Sequence, residues 1–408
     1  MKVIKYLYYI FIFLLLSGSN IELLGFPIKY ILAVLLFFLV ISSEMKFVTS
    51  KIWILYMIFL LSFGVSCIVT GNIGQYLNQL LKSYFPAFVG CISTIEVVKK
   101  DRNSLNVIFI IILAIGFFNV FVNYSQFMFN TDWYEPIESF FKFSNDEEFS
   151  ESIGMRQTYR DVNDGTLQGI FGNGVLNGYY LSLCTILSMA LVLKRKNILY
   201  LVLTVFFVAG SFICQQRSPL YASLLLIVVM FLFGGFKSFS NLQRTLFFIV
   251  ITSFLIVSIP YFIEISESFG LRYTTRGFEG SGREDIYVNT FDYILSNPVF
   301  PNIFELMQQK GRAPHNLFLN AFIYGGVISF VCIMLILFYQ FKDVISVIKK
   351  GCEERNVYFF VFAFAWIEYT INCLVHNRSL ITGDFSIWLI WGVIASSNFY
   401  SVIKSKRT

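Results

Sequence analysis

Three residues able to bind an anion and move a proton fall in one polar stretch, 280–320, between long hydrophobic runs. It reads G-S-G-R-E-D-I-Y, then S-N-P, then G-R-A-P-H-N-L-F-L-N, and holds Arg283, Arg312 and His315. A guanidinium offers a planar fork of donors that fits phosphate or carboxylate and keeps its charge near lipid. His315 follows Pro314 and is expected to open a helix, whose positive end would keep the imidazole neutral and fit to accept a proton. A histidine at a span end also serves as a structural hydrogen bonder. Arg217, in C-Q-Q-R-S-P, sits in a short connection, where an arginine at the membrane edge needs an anion, either a lipid phosphate or a substrate pyrophosphate. Glu368, Asn372 and His376 follow at i, i+4 and i+8 on one helical stripe. Glu368 is then expected to orient a histidine, to pair with an arginine, or to join two helices. The D-V-N-D string at 161–164 lacks a convincing second carboxylate spacing and reads as Asx turns, so no metal is expected.

The elements carrying these residues must be membrane spans. Of 408 residues, 56% are hydrophobic and 14% charged, against roughly 25% charged in soluble domains. Mean hydropathy is +0.68. The apolar residues come in runs of about 17 to 25, the length of a helix crossing roughly 30 Å of hydrocarbon. The net charge of +6 is placed to set orientation and implies no nucleic acid. Six of the seven cysteines fall inside spans, Cys352 lies in a loop, and no CxxC occurs, so they read as small apolar residues. The basic start M-K-V-I-K resembles a secretory signal without a clear cleavage site, and an uncleaved first helix is expected.

Hydropathy places twelve spans in one integral domain over 1–408, with no internal repeat and no soluble domain. They are 6–16, 27–43, 52–70, a weaker fourth at 79–98 carrying Lys82 and Pro86, 105–129, 175–193, 197–214, 219–236, 245–262, 316–341, 357–375 and 385–403. Two long loops interrupt them, 130–174 and 263–315. With both termini inside, every short inner connection carries at least two basic residues, as the positive-inside rule requires. Inner connections then hold fourteen Lys and five Arg, outer ones four Lys and eight Arg. That bias suggests an anionic ligand at the outer face, although outer arginines also reach toward headgroups.

Four pieces, in this order, resemble the O-antigen polymerase and O-antigen ligase superfamily of bacterial envelope glycosyltransferases. They are F-G-N-G-V-L-N-G-Y-Y at the sixth span, R-S at Arg217, S-G-R at 281–283, and H-N-L-F-L at His315 followed by Gly325 and Gly326. The resemblance covers roughly 172–331; the first five spans add only a matching topology. It implies an all-α, polytopic bundle of the C-type glycosyltransferase (GT-C) kind in the inner membrane, with its active site facing the periplasm. It implies an undecaprenyl-diphosphate-linked glycan as donor, a second as acceptor, surrounding membrane lipids, no cofactor, no metal, and a chain-length regulator protein as a further partner. Carried over residue by residue, it gives Arg217 and Arg283 as diphosphate binders and His315 as the base. Arg312, Asn316, Glu368, His376, Asn173 and Asn177 are supporting candidates. Gln216 stands where the family usually has Ser or Thr, and Pro219 follows closely. Polymerase is favoured over ligase, since polymerases diverge with the sugar they join. A lipid-linked oligosaccharide flippase is the reading from another class; such transporters usually show an internal repeat and midplane polar groups.

Overall fold

The computed structural model describes residues 2–19, 21–23, 26–42, 51–129, 167, 169–171, 174–214, 216–230, 283–311, 313–314, 316–350, 357–374 and 380–405. These residues are mostly helical. In chain order they form α1 (Lys2–Leu16), a hairpin of β1 (Glu22–Leu23) with β2 (Phe26–Pro27), α2 (Ile28–Ile41) and α3 (Lys51–Val69). Next come α4 (Ile73–Gln79), a π-helical turn (Leu80–Tyr84), α5 (Phe85–Lys100) and α6 (Asn103–Phe129). A 3-10 turn (Gly169–Phe171) precedes α7 (Gly174–Arg195), α8 (Ile198–Ile213) and α9 (Arg217–Met230). The remaining helices are α10 (Arg283–Ser296), α11 (Ile303–Lys310), α12 (Leu317–Ile323), α13 (Gly326–Lys350), α14 (Val357–Cys373) and α15 (Phe385–Ser405).

Five of the helical stretches are long and apolar enough to cross a membrane: Lys51–Val69, Ile73–Lys100, Asn103–Phe127, Gly174–Arg195 and Gly326–Lys349. Shorter apolar helices stand at the expected positions of the second, seventh, eleventh and twelfth spans. The expected ninth span, 245–262, lies outside the described residues, as does nearly all of the loop 130–174. Six cysteines are free and buried among the described residues.

Two compact units divide the chain: the first holds described residues up to Ile115 and from Ile286 onward, the second those from Gly116 to Asp285. In the first unit, α5 packs against α15, and both α3 and α15 pack against α13. Gly90 and Gly392 permit the first approach. A Cβ on Gly90 would stand 2.1 Å from the Phe385 ring, and one on Gly392 would stand 3.0 Å from Cys91 O. Trp53 stacks on Trp388 at 5.3 Å between centroids, and Tyr56 meets the same indole at 4.5 Å. Lys5 of α1 pairs with Asp101, whose carboxyl the lysine's hydrogen bond holds below its ordinary range.

The fourth span, weak by hydropathy, is continuous from Ile73 to Lys100, with the π turn inside it. It is less apolar than α3 but more of it is buried in protein. Ser93, Thr94 and Glu96 face protein, and Tyr8 shares a 2.8 Å hydrogen bond with Thr94. A helix enclosed by other helices can carry polar side chains that lipid would exclude.

The expected tenth span is broken. Asn316 caps the short α12, the chain turns at Tyr324 and Gly325, and the long apolar helix begins at Gly326. Gly326 adopts φ +70°, and a Cβ there would approach Val299 O to 2.6 Å. Ser62 Oγ donates to Gly325 O at 2.7 Å, so α3 backs directly onto the break.

The segment 298–312, unreadable by motif, contains α11. Asn302 accepts from Phe304 N at 2.8 Å as its N-cap, Glu305 lies in the first turn, and Gly311 ends it at φ +71°. The Asn302 side chain is fully buried and also donates to Thr70 Oγ1 at 2.8 Å and Cys67 Sγ at 3.2 Å. Tyr293 Oη accepts from Asn302 N at 2.9 Å and donates to Glu305 Oε2 at 2.7 Å; burial holds this phenol above its ordinary range. Ser66 Oγ donates to Pro301 O at 2.7 Å. The polar loop is thereby bolted to the end of α3. Asn302→Ala removes the cap and the buried link to Thr70, whose hydroxyl keeps Ser66 O and Asn72 Nδ2 as partners; an expected loss of about 1 to 3 kcal/mol is read by thermal unfolding in detergent. An unchanged melting temperature would show that the loop docks by other means.

Candidate functional site

In the second unit, the N-G-Y-Y piece packs against the two residues that flank the R-S piece. Gly178, in N-G-Y-Y, lies under Gln216: a Cβ there would stand 2.6 Å from Gln216 Cβ and 3.3 Å from Pro219 Cγ. Ser182 Oγ, one helical turn on, donates to Pro219 O at 2.9 Å. Arg217 is the first residue of α9, and Pro219 falls in the first turn, where its missing N–H breaks no helical hydrogen bond. The Gln216 and Pro219 departures therefore fit a helix start that α7 supports from below.

Asn177 is the hub of a buried amide cluster. Its Oδ1 accepts from Asn119 Nδ2 at 2.6 Å and from Asn123 Nδ2 at 3.1 Å. Its Nδ2 donates to Asn123 Oδ1 and to Leu167 O, both at 2.8 Å. Asn119 Oδ1 in turn accepts from Ile170 N at 3.0 Å, and Gln126 Oε1 accepts from Gly169 N at 3.2 Å. The cluster fastens the end of the loop 130–174 to α6. Asn177 is thus spent on this anchor, and nothing shows it directed toward a ligand. Gly169 completes the turn at φ +57°, where a Cβ would stand 2.2 Å from Asn119 Oδ1.

In the first unit, Asn316 is also committed to structure. Its Oδ1 accepts from Phe318 N at 2.9 Å and Leu319 N at 3.1 Å. Helix α12 begins at Leu317, so His315 precedes the cap and does not itself open the helix. The helix has only seven residues. Glu368 and Asn372 share the expected stripe of α14, both fully buried, and Asn372 Nδ2 donates to Glu368 Oε1. Glu368 thus meets an amide of its own helix.

His315, Arg312, His376 and Asn173 lie outside the described residues, and Arg217 and Arg283 are described only as the first residues of α9 and α10. Asn320 was not foreseen. It is buried one turn after Asn316, and its Nδ2 has no hydrogen-bond partner among the described residues. It closes the H-N-L-F-L-N string, so its position was visible although its burial was not. Among the described residues no three His, Cys, Asp or Glu side chains gather as metal ligands, and Asp161 and Asp164 fall outside them. Compared with known protein families and with curated proteins, the sequence matches none.

Proposed function

We propose that the chain is a polysaccharide polymerase of the bacterial inner membrane, joining undecaprenyl-diphosphate-linked oligosaccharide repeats at the periplasmic face. The reading takes the chain as a GT-C-like bundle of about twelve spans with both termini cytoplasmic. Support comes from the four-piece resemblance together with one observation: the N-G-Y-Y piece is packed under the residues that start α9 at Arg217. That packing brings the two motif strings side by side, as a shared purpose for them requires.

In the proposed reaction an acceptor hydroxyl attacks the anomeric carbon of the donor. The new glycosidic C–O bond forms as the bond to the diphosphate breaks, with inversion. His315 takes the hydroxyl proton, and Arg217 and Arg283 hold the charge that develops on the departing diphosphate. No metal or cofactor is needed. A chain-length regulator protein would act as partner to the polymer formed.

The test is the glycan made by a strain lacking the chain. Single repeats attached to lipid A core are expected, with long polymer restored by the intact gene. Loss of all attached glycan, with lipid-linked polymer accumulating, would instead mark a ligase. An unchanged glycan ladder would reject both.

A further inference from the structure

Helix α10 shows three faces at about 100° per residue. Ile286, Thr290 and Tyr293 are buried against the protein. On the opposite side Val288, Phe291 and Leu295 are exposed, Leu295 by 77% and Phe291 by 53%. Asp285 and Asp292 lie between these faces, along an exposed edge. An exposed face of this kind, in a loop between spans, needs an occupant.

The apolar face continues past the helix through Val299 and Phe300, both exposed. There it meets two membrane-crossing helices. Gly326, the first residue of α13, lies against Val299 O and Pro301, and the next two residues, Val327 and Ile328, are themselves exposed. Ser66 and Thr70 of the α3 end hold Pro301 and Asn302, beside the exposed Ile68 and Val69. Exposed apolar residues therefore occur at the ends of α3 and α13, at Val299 and Phe300 beside them, and on α10.

We propose that α10 is an interfacial helix whose Val288, Phe291 and Leu295 face lies against the acyl chains of the bilayer at the end of α3 and α13. One observation selects lipid as the occupant: the face adjoins the exposed apolar ends of the long apolar helices α3 and α13. Glu284, one turn before Val288, stands at the N-terminal end of that face, and Asp285 and Asp292 lie along one edge. A helix lying in the interface has protein on one flank, acyl chains on the other and water above, which is the order of faces on α10. This inference does not depend on the proposed reaction. If that reaction holds, Arg283, the first residue of α10, starts at headgroup depth, where a lipid diphosphate would be.

The full chain in phosphatidylethanolamine and phosphatidylglycerol vesicles provides the test. p-Benzoylphenylalanine is placed at Leu295, at Phe291, and at Asp292 as the control, and lipid adducts are measured by peptide mass spectrometry after irradiation. Adduct yields several-fold higher at Leu295 and Phe291 than at Asp292 are expected. Equal yields at all three, or Leu295 crosslinking to a second copy of the chain in place of lipid, overturn the proposal. Hydroxyl-radical footprinting of the unsubstituted chain in the same vesicles is independent of any variant. Phe291 should be protected as well as Phe338 of α13; oxidation at the rate of a water-exposed ring overturns the proposal.

Discussion

Replacing His315 with Ala is expected to slow glycan transfer by about 100-fold or more, the usual contribution of a positioned base. The acceptor hydroxyl is a poor nucleophile while it keeps its proton, and a nearby neutral imidazole is the group proposed to take it. If so, the loss should fall on the rate of the chemical step and spare donor binding. Arg217→Ala should act differently, weakening both donor binding and rate. Arg217→Lys should recover only part of the loss, because an ammonium keeps the charge but lacks the planar fork. The measurement is single-turnover transfer between purified lipid-linked repeats in vesicles, with the amount of folded protein matched. Unchanged turnover in His315→Ala removes the histidine from the mechanism, and partial rescue by added imidazole would support its role as base.

Asn177→Leu should cost roughly 3 to 5 kcal/mol of stability, among the larger effects of one substitution. Leucine has nearly the same shape, so little packing is lost. What is lost is the centre of the amide cluster: Asn119 Nδ2, both polar atoms of Asn123, and Leu167 O each give up a partner. Buried polar groups left without partners pay their full desolvation penalty, and a partly satisfied network is worse than an apolar one. Asn177→Asp keeps the acceptor for Asn119 and Asn123 but removes the donor to Asn123 Oδ1 and Leu167 O, while adding a buried charge. It should be at least as damaging. Thermal unfolding of the purified chain in detergent reads the effect, and a melting temperature within error of the parent would show that the loop end is held elsewhere. A change of this size in Asn177 would also explain loss of function without any contact to substrate.

Much of the helical order was legible in advance. The starts of α2, α3, α6, α7, α8, α14 and α15 fall within about two residues of those expected, because an apolar run of sufficient length has a local cause. The fourth span looked weak for a nonlocal reason, its enclosure by α15, α2 and α1. The break at Gly325 and Gly326 was signalled by the glycine pair, a turn marker, but apolar residues on both sides masked it. Helix α11 was not expected, although Asn302, Glu305 and Gly311 are a cap, a first-turn acid and a left-handed stop. Nor was its anchor, since Thr70 lies 232 residues away from Asn302 in the chain.

The candidate site divides the same way. Residue types and order marked Arg217, Arg283, His315 and their neighbours, because guanidinium and imidazole chemistry is a property of the side chain itself. Alone, the sequence determined that this is a chain of apolar helices with its arginines gathered in polar connections. Only the tertiary structure decided that Asn177 and Asn316 hold backbone, that Glu368 accepts from Asn372, and that Gly178 makes room for the residues beside Arg217. Hydropathy and charge sum over neighbours in sequence, whereas a hydrogen-bond partner or the space around a glycine is set by residues that folding brings in from elsewhere.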